Sequence, residues 1–212
     1  MKKLFIALFA TICVFNSQAQ SYQFGTVTAD LGVGFGIYGI RSYSPINQEN
    51  HSGIGIVGSG PAFNADFGIA RFLGVGVRYR RGTYGRSGNY KLRGNDMVFR
   101  VNFHLANKGD KFDLPIGVGY GLSSFGGNIS EKESLKANGG ILNVHVSPHI
   151  YFGKYVGMFL SVGYNKHLFN KMEMVDKYEK KWTEADGATW NMGGVYFEFG
   201  VAGKFDLFNK KE

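Results

Sequence analysis

Sulfur chemistry is almost missing from this chain. Its one cysteine, Cys13, falls in an N-terminal stretch expected to be removed. Disulfides are therefore excluded, although the same stretch implies export to an oxidising compartment. Proline is scarce, at 4 of 212 residues, which argues against a disordered Gly/Pro-rich chain. Beyond the N-terminus there is no run of about 18 consecutive apolar residues, so a transmembrane helix is excluded. Acidic residues are the minority: 16 Asp and Glu stand against 24 Lys and Arg, a formal net charge of +8.

The N-terminus reads as a signal peptide. Lys2 and Lys3 form a basic region and Leu4 to Phe15 an apolar core, too short to span a bilayer as a helix. Ser17-Gln18-Ala19 places small residues at the −3 and −1 positions, so cleavage is expected before Gln20. Residues 1–19 are then the signal peptide and residues 20–212 a single domain.

Glycine is abundant, at 32 residues, and aromatics reach 16%. Their arrangement is periodic. In Leu31-Gly32-Val33-Gly34-Phe35-Gly36-Ile37 a large apolar residue alternates with glycine at every step. A strand turns successive side chains to opposite faces, so one face here is apolar and the other nearly bare. A strand facing lipid outside and a cramped lumen inside needs that combination.

Eight segments alternate in this way: about 26–39, 61–70, 72–80, 96–105, 114–125, 140–152, 156–164 and 190–208. Their other face mixes small and charged residues, including Asp30, Asp66, Arg78, Arg80, Arg100, His104, Glu198, Lys204 and Asp206. The spacing predicts tight links near residues 70–72, 106–110 and 153–155. Long links are expected at about 40–60, 81–95, 126–139 and 165–189. Short links at one end and long ones at the other are the rhythm of an outer-membrane barrel. Aromatics sort by height, with Phe72, Phe103, Phe152, Tyr155 and Phe205 near the short turns. Tyr79, Tyr120, Tyr164 and Trp190 lie toward the long loops, so two interfacial girdles are expected.

On these segments, this rhythm and the aromatic final strand, the chain resembles the small eight-stranded outer-membrane β-barrels. These include the OmpA transmembrane domain, OmpX and the opacity-type porin-like proteins. The resemblance implies an all-β, antiparallel, up-and-down transmembrane barrel with short periplasmic turns and long extracellular loops. It also implies the outer membrane of a Gram-negative bacterium, reached with the barrel assembly machinery. One departure is at the C-terminus, where Phe208 is followed by Asn209-Lys210-Lys211-Glu212 rather than closing the chain.

Three groups of residues carry possible chemistry. Asp30, Asp66, Arg78, Arg100, Glu198 and Lys204 share the inner face, and buried charges must pair or be very costly. The expectation is a salt-bridged plug and a closed lumen rather than a small porin. His145, Ser147 and His149 recur at spacing two, and His145-Val146-Ser147 is similar to the His-x-Ser of the lipid A deacylase. No third partner is evident in the sequence, and both residues are expected to face the lumen, away from a lipid substrate. The expectation is no catalysis, and no metal, since a third ligand is also missing. Finally, Arg81, Arg86, Lys91 and Arg93 have no acidic partner in their own segment. They are expected on an outer loop that meets lipopolysaccharide phosphates, which Arg binds bidentately. Lipid, lipopolysaccharide and a surface or envelope protein are the expected partners. Nucleic acid is not, because an exported barrel seldom meets it, and no cofactor is expected, since the glycines sit at period two inside strands and cannot cradle a nucleotide.

Overall fold

The computed structural model describes residues 22–44, 49–85, 91–106, 111–128, 134–175, 178 and 180–208. The expected signal peptide lies outside them. Among the described residues ten strands form one antiparallel sheet: β1 (Thr26–Ser44), β2 (Glu49–Ala70), β3 (Leu73–Gly85), β4 (Lys91–Ala106), β5 (Phe112–Asn128), β6 (Ser134–Val146), β7 (His149–Tyr151), β8 (Val156–Val175), β9 (Lys181–Thr183) and β10 (Thr189–Asp206). Eight of them make a ring, β1 to β6 followed by β8 and β10, and β10 closes on both β1 and β8. β7 continues β6 beyond Ser147-Pro148 and pairs with β5 and β8. β9 is a short flap on β8. Closure leaves no strand of the eight-strand ring as a sheet edge, as a barrel in hydrocarbon requires.

The inward and outward faces follow the alternation in every ring strand. Leu31, Phe35 and Ile37 are exposed while Asp30, Gly34 and Gly36 are buried. Pro148 does not reverse the phase, since His145, Ser147 and His149 are all buried and Val146 and Ile150 exposed. From Val27 to Ile37 the outward run spans about 25 Å along the axis at ordinary barrel tilt, the height of a hydrocarbon core's barrel belt. Leaving a Leu or Phe in water rather than burying it costs roughly 1.5–3 kcal/mol. A belt holding Leu31 at 62%, Ile37 at 68% and Leu122 at 67% exposure is a surface for hydrocarbon.

The strands run well past the expected boundaries, and the long links expected at 40–60, 81–95, 126–139 and 165–189 are largely strand. The reason is an inversion of polarity. Above the belt, outward positions become mostly polar, Val57 and Leu168 excepted: Arg41, Ser59, Arg81, Asn95, Ser124, Asn138 and Lys166 are all exposed except half-buried Ser124. Inward positions become apolar instead. Tyr38, Ile40, Ile56, Tyr84, Leu92, Phe125, Leu135, Met172, Met174 and Trp190 form one buried cluster. The upper barrel is thus built like a water-soluble barrel, apolar inside and polar outside. The expected loop at 81–95 is accordingly corrected: Arg81 is on β3, and Lys91 and Arg93 are on β4, all three outward and exposed. Arg86 lies outside the described residues. Trp190 is corrected too. It belongs to the inner cluster at 4% exposure, packed on Phe169 with ring centroids 4.7 Å apart, not to an outer girdle.

The opposite mouth is filled as well. The chain enters through Gly25, whose φ of 82° suits glycine. Tyr22 then folds under the barrel, buried at 1% and stacked on His104 at 3.4 Å between centroids. Tyr151, Phe159 and Ala202 pack together inside. Outside, Phe72–Phe103 and Tyr155–Phe205 make ring contacts at 5.1 and 5.9 Å, within a lower aromatic girdle.

Candidate functional site

Between the two apolar ends the lumen is a stack of charged and polar side chains. At the centre, Arg78 on β3 reaches across to Glu198 on β10. Its Nε donates to both carboxylate oxygens at 3.2 and 3.4 Å and its Nη2 donates to Oε1. The same guanidinium lies 4.4 Å over the Tyr196 ring. Gly34 makes the room: a Cβ there would meet Glu198 Cγ at 2.8 Å. Below, Arg100 faces Asp66 at 3.6 Å, and Asn102 donates to the same carboxylate. Asn143 ties the wall opposite, donating to Asn165 at 2.8 Å and to Tyr196 at 2.9 Å.

Histidines complete the stack. His149 meets both oxygens of Asp30 at 3.1 Å. His104 meets Asp113 at 2.7 Å, and His167 lies 3.3 Å from Asp96, which also accepts from Ser123 at 2.7 Å. Lys204 lies over the Tyr151 ring at 4.9 Å. Higher up, Arg80 donates to Tyr38 and lies 5.8 and 5.7 Å over the Tyr38 and Tyr84 rings. The polar stack thus passes into the apolar cluster through cation–π contacts.

Of the six inner charges singled out from sequence, the structure joins Arg78 to Glu198 and Arg100 to Asp66. Asp30 is held by a histidine instead, and Lys204 by an aromatic face. Asp96, Asp113 and His167 were not among the expected charges. Their parity could have shown them, because Asp96 continues the inner face of Arg100 and Asn102, and His167 that of Ser161.

The His145–Ser147–His149 run does not form a nucleophile and base. Nδ1 of His149 is taken by the backbone oxygen of Ser147 at 2.8 Å and its Nε2 by Asp30. On His149 no ring nitrogen is left to accept a proton from the Ser147 hydroxyl, as acyl transfer needs. His145 points instead at the Arg100 guanidinium, 3.5 Å away. Among the described residues no three His, Cys, Asp or Glu side chains converge as a metal site would.

The second candidate surface is the outer wall above the belt. Arg81, Asn95, Ser124, Asn138 and Lys171 form one hydrogen-bonded row across β3, β4, β5, β6 and β8. One step higher, Thr83, Arg93, Gly126, Lys136 and Glu173 form the next. Lys136 and Lys171 thus join the expected cations through register, which the sequence does not display. Among the described residues, no carboxylate lies within ion-pair distance of Arg81, Lys91, Arg93, Lys136 or Lys171. Glu173 is engaged by Lys181 at 3.6 Å.

No protein-family model matches the chain, and no curated protein sequence matches it. Solved structures do. The outer membrane protein OprG from Pseudomonas aeruginosa superposes with a TM-score of 0.62 at 10% identity, over 89% of this chain and 99% of that one. Outer membrane protein AlkL, solved in DMPC lipid bilayers, gives 0.54 at 11% identity over 90% and 95%. Neisserial surface protein A gives 0.52 at 13% over 84% and 99%. The fold is that of the small eight-stranded outer-membrane β-barrels.

Proposed function

We propose that this chain is a non-enzymatic, integral outer-membrane β-barrel with a closed lumen. In this reading it serves envelope structure or surface interaction, and its basic outer wall engages lipopolysaccharide phosphates. The single observation that carries the reading is the polarity inversion. An apolar belt of membrane height gives way on the ring strands to a mostly polar outer wall, while the interior behind that wall becomes apolar.

The closed lumen is supported by the stack just described. Arg78, Arg80 and Arg100 cross it with their side chains buried, and an apolar cluster sits above them. A wide water path would leave those apolar side chains hydrated. The protein refolded in detergent and added to planar bilayers is expected to give no large, steady conductance. Well-resolved, long-lived openings would overturn the closed lumen and favour a small porin.

The non-enzymatic part is supported by His149, which has both ring nitrogens engaged. Lipid A from cells with and without the protein is expected to give the same mass spectrum. Loss or gain of an acyl chain or phosphate that depends on the protein would overturn this part.

A further inference from the structure

Three depressions lie one below another on the outer wall of β3 to β8. The uppermost, about 500 Å³, lies between Lys91, Arg93 and Lys136. Its floor is Gly126, which sits between Arg93 and Lys136 in a single hydrogen-bonded row. A Cβ built on Gly126 would have its nearest neighbour at 3.8 Å, so the hollow exists because this residue has no side chain. The middle one, about 520 Å³, straddles the polarity boundary. Asn95, Asn138 and Lys171 edge it above, and Tyr79, Tyr120 and Leu122 below. Pairing there jumps from Asn138–Lys171 to Gly139–Phe169, leaving Asn170 as a bulge that opens the wall. The lowest, about 690 Å³, is an apolar groove between Val77, Phe99, Val101, Val118 and Leu142. Tyr120 borders both the middle and the lowest, and the upper two adjoin through consecutive outward positions of β4, β5 and β6.

We propose that these depressions form one track that holds a single phosphorylated glycolipid of the lipid A class. Polarity falls along the track in the order that such a molecule presents. Cations with no carboxylate in ion-pair distance among the described residues flank a hollow at the top, where a phosphate is held by a guanidinium and ammonium groups. Amides and tyrosine rings follow, a surface suited to the hydroxyls and apolar faces of a saccharide. The apolar groove then lies at hydrocarbon depth, where an acyl chain belongs. A glycerophospholipid offers no saccharide to the amide-and-tyrosine cleft, so the glycolipid is the better fit. This assignment rests on the membrane placement and the basic wall proposed above and adds a defined, single-occupancy site to them.

The test is native mass spectrometry and titration of the detergent-refolded protein with hexa-acylated bisphosphoryl lipid A. Its dephosphorylated form and phosphatidylglycerol serve as comparators. The expected result is one tightly retained lipid A, with both comparators at least about tenfold weaker: the dephosphorylated form loses charge-assisted hydrogen bonds, and phosphatidylglycerol loses the saccharide contacts. Lys91→Gln, Arg93→Gln and Lys136→Gln combined should weaken retention by about tenfold or more. Gly126→Trp keeps every charge and fills the upper hollow, and Val118→Trp fills the groove from an outward position exposed at 59%. Both should weaken retention to a similar degree, with folding of each variant checked by its heat-modifiable gel migration. If the triple variant binds as well as the parent, the basic-wall reading and the track fall together. If it weakens binding while both tryptophan variants leave it unchanged, only the track is overturned. Equal retention of phosphatidylglycerol would replace the glycolipid with any anionic lipid and also overturn the assignment.

Discussion

Replacing Arg78 with methionine is expected to cost the folded barrel about 3–5 kcal/mol, the usual penalty for stranding one partner of a buried ion pair. Glu198 would lose three hydrogen bonds from one guanidinium in a place where its own exposure is 0%. Bulk water does not reach it to replace them, because the carboxylate is fully buried and the backbone of Gly34 packs against it. The double variant Arg78→Met, Glu198→Met removes both charges and should recover most of the loss, since an apolar pair of similar volume is often neutral against a buried salt bridge. The exposed pair Lys181–Glu173, with side chains 67% and 35% exposed, provides the contrast. Removing it should change stability by no more than about 1 kcal/mol. Urea unfolding in lipid vesicles, followed by tryptophan fluorescence and heat-modifiable migration, measures all three. A single variant as stable as the parent would show that the lumen is hydrated enough to solvate Glu198, which would also undermine the closed-lumen reading.

The partners in that pair are 120 residues apart in sequence, and this sets what could be read in advance. Which face each residue takes depends only on period-two alternation, a local property. The inward placement of Arg78, Arg100, His145 and Glu198 was therefore legible. Which inner residue meets which depends on the stagger with which the ring closes. Thus Asp30 was readable as buried, but His149 as its partner, 119 residues away, was not. The strand ends were misread for a different reason. Above the belt, residues such as Arg81-Gly82-Thr83-Tyr84 still alternate, but with the apolar member turned inward. A search for outward apolar residues stops at Tyr79 and takes the remainder as loop. The same change of sign placed Trp190 outside. The basic wall was only half visible, since Arg93 and Lys136 become neighbours across Gly126 solely through the pairing of β4, β5 and β6.

Along β4 the change of sign makes one substitution diagnostic. Phe99 faces outward in the middle of the belt at 57% exposure, and Phe99→Arg should destabilise the barrel by roughly 2–4 kcal/mol, the cost near the midplane of a bilayer. Asn95→Arg, two outward positions higher, crosses the boundary and should cost about 0–1 kcal/mol, as at an interface. Leu92→Arg, inward and fully buried in the upper apolar cluster, should again be severe, because an unpaired charge is placed among Phe125, Leu135 and Tyr84. The order costly, cheap, costly therefore follows depth and facing together. Unfolding free energies of the three variants in vesicles test it. A barrel living in water would show the two outward substitutions as equally mild, since Phe99 and Asn95 would both meet solvent. Equality would remove the membrane placement, and with it the lipid track on the same wall. The inward substitution would stay costly in either case, so it reports on the upper core alone and separates a loss of packing from a loss of the belt.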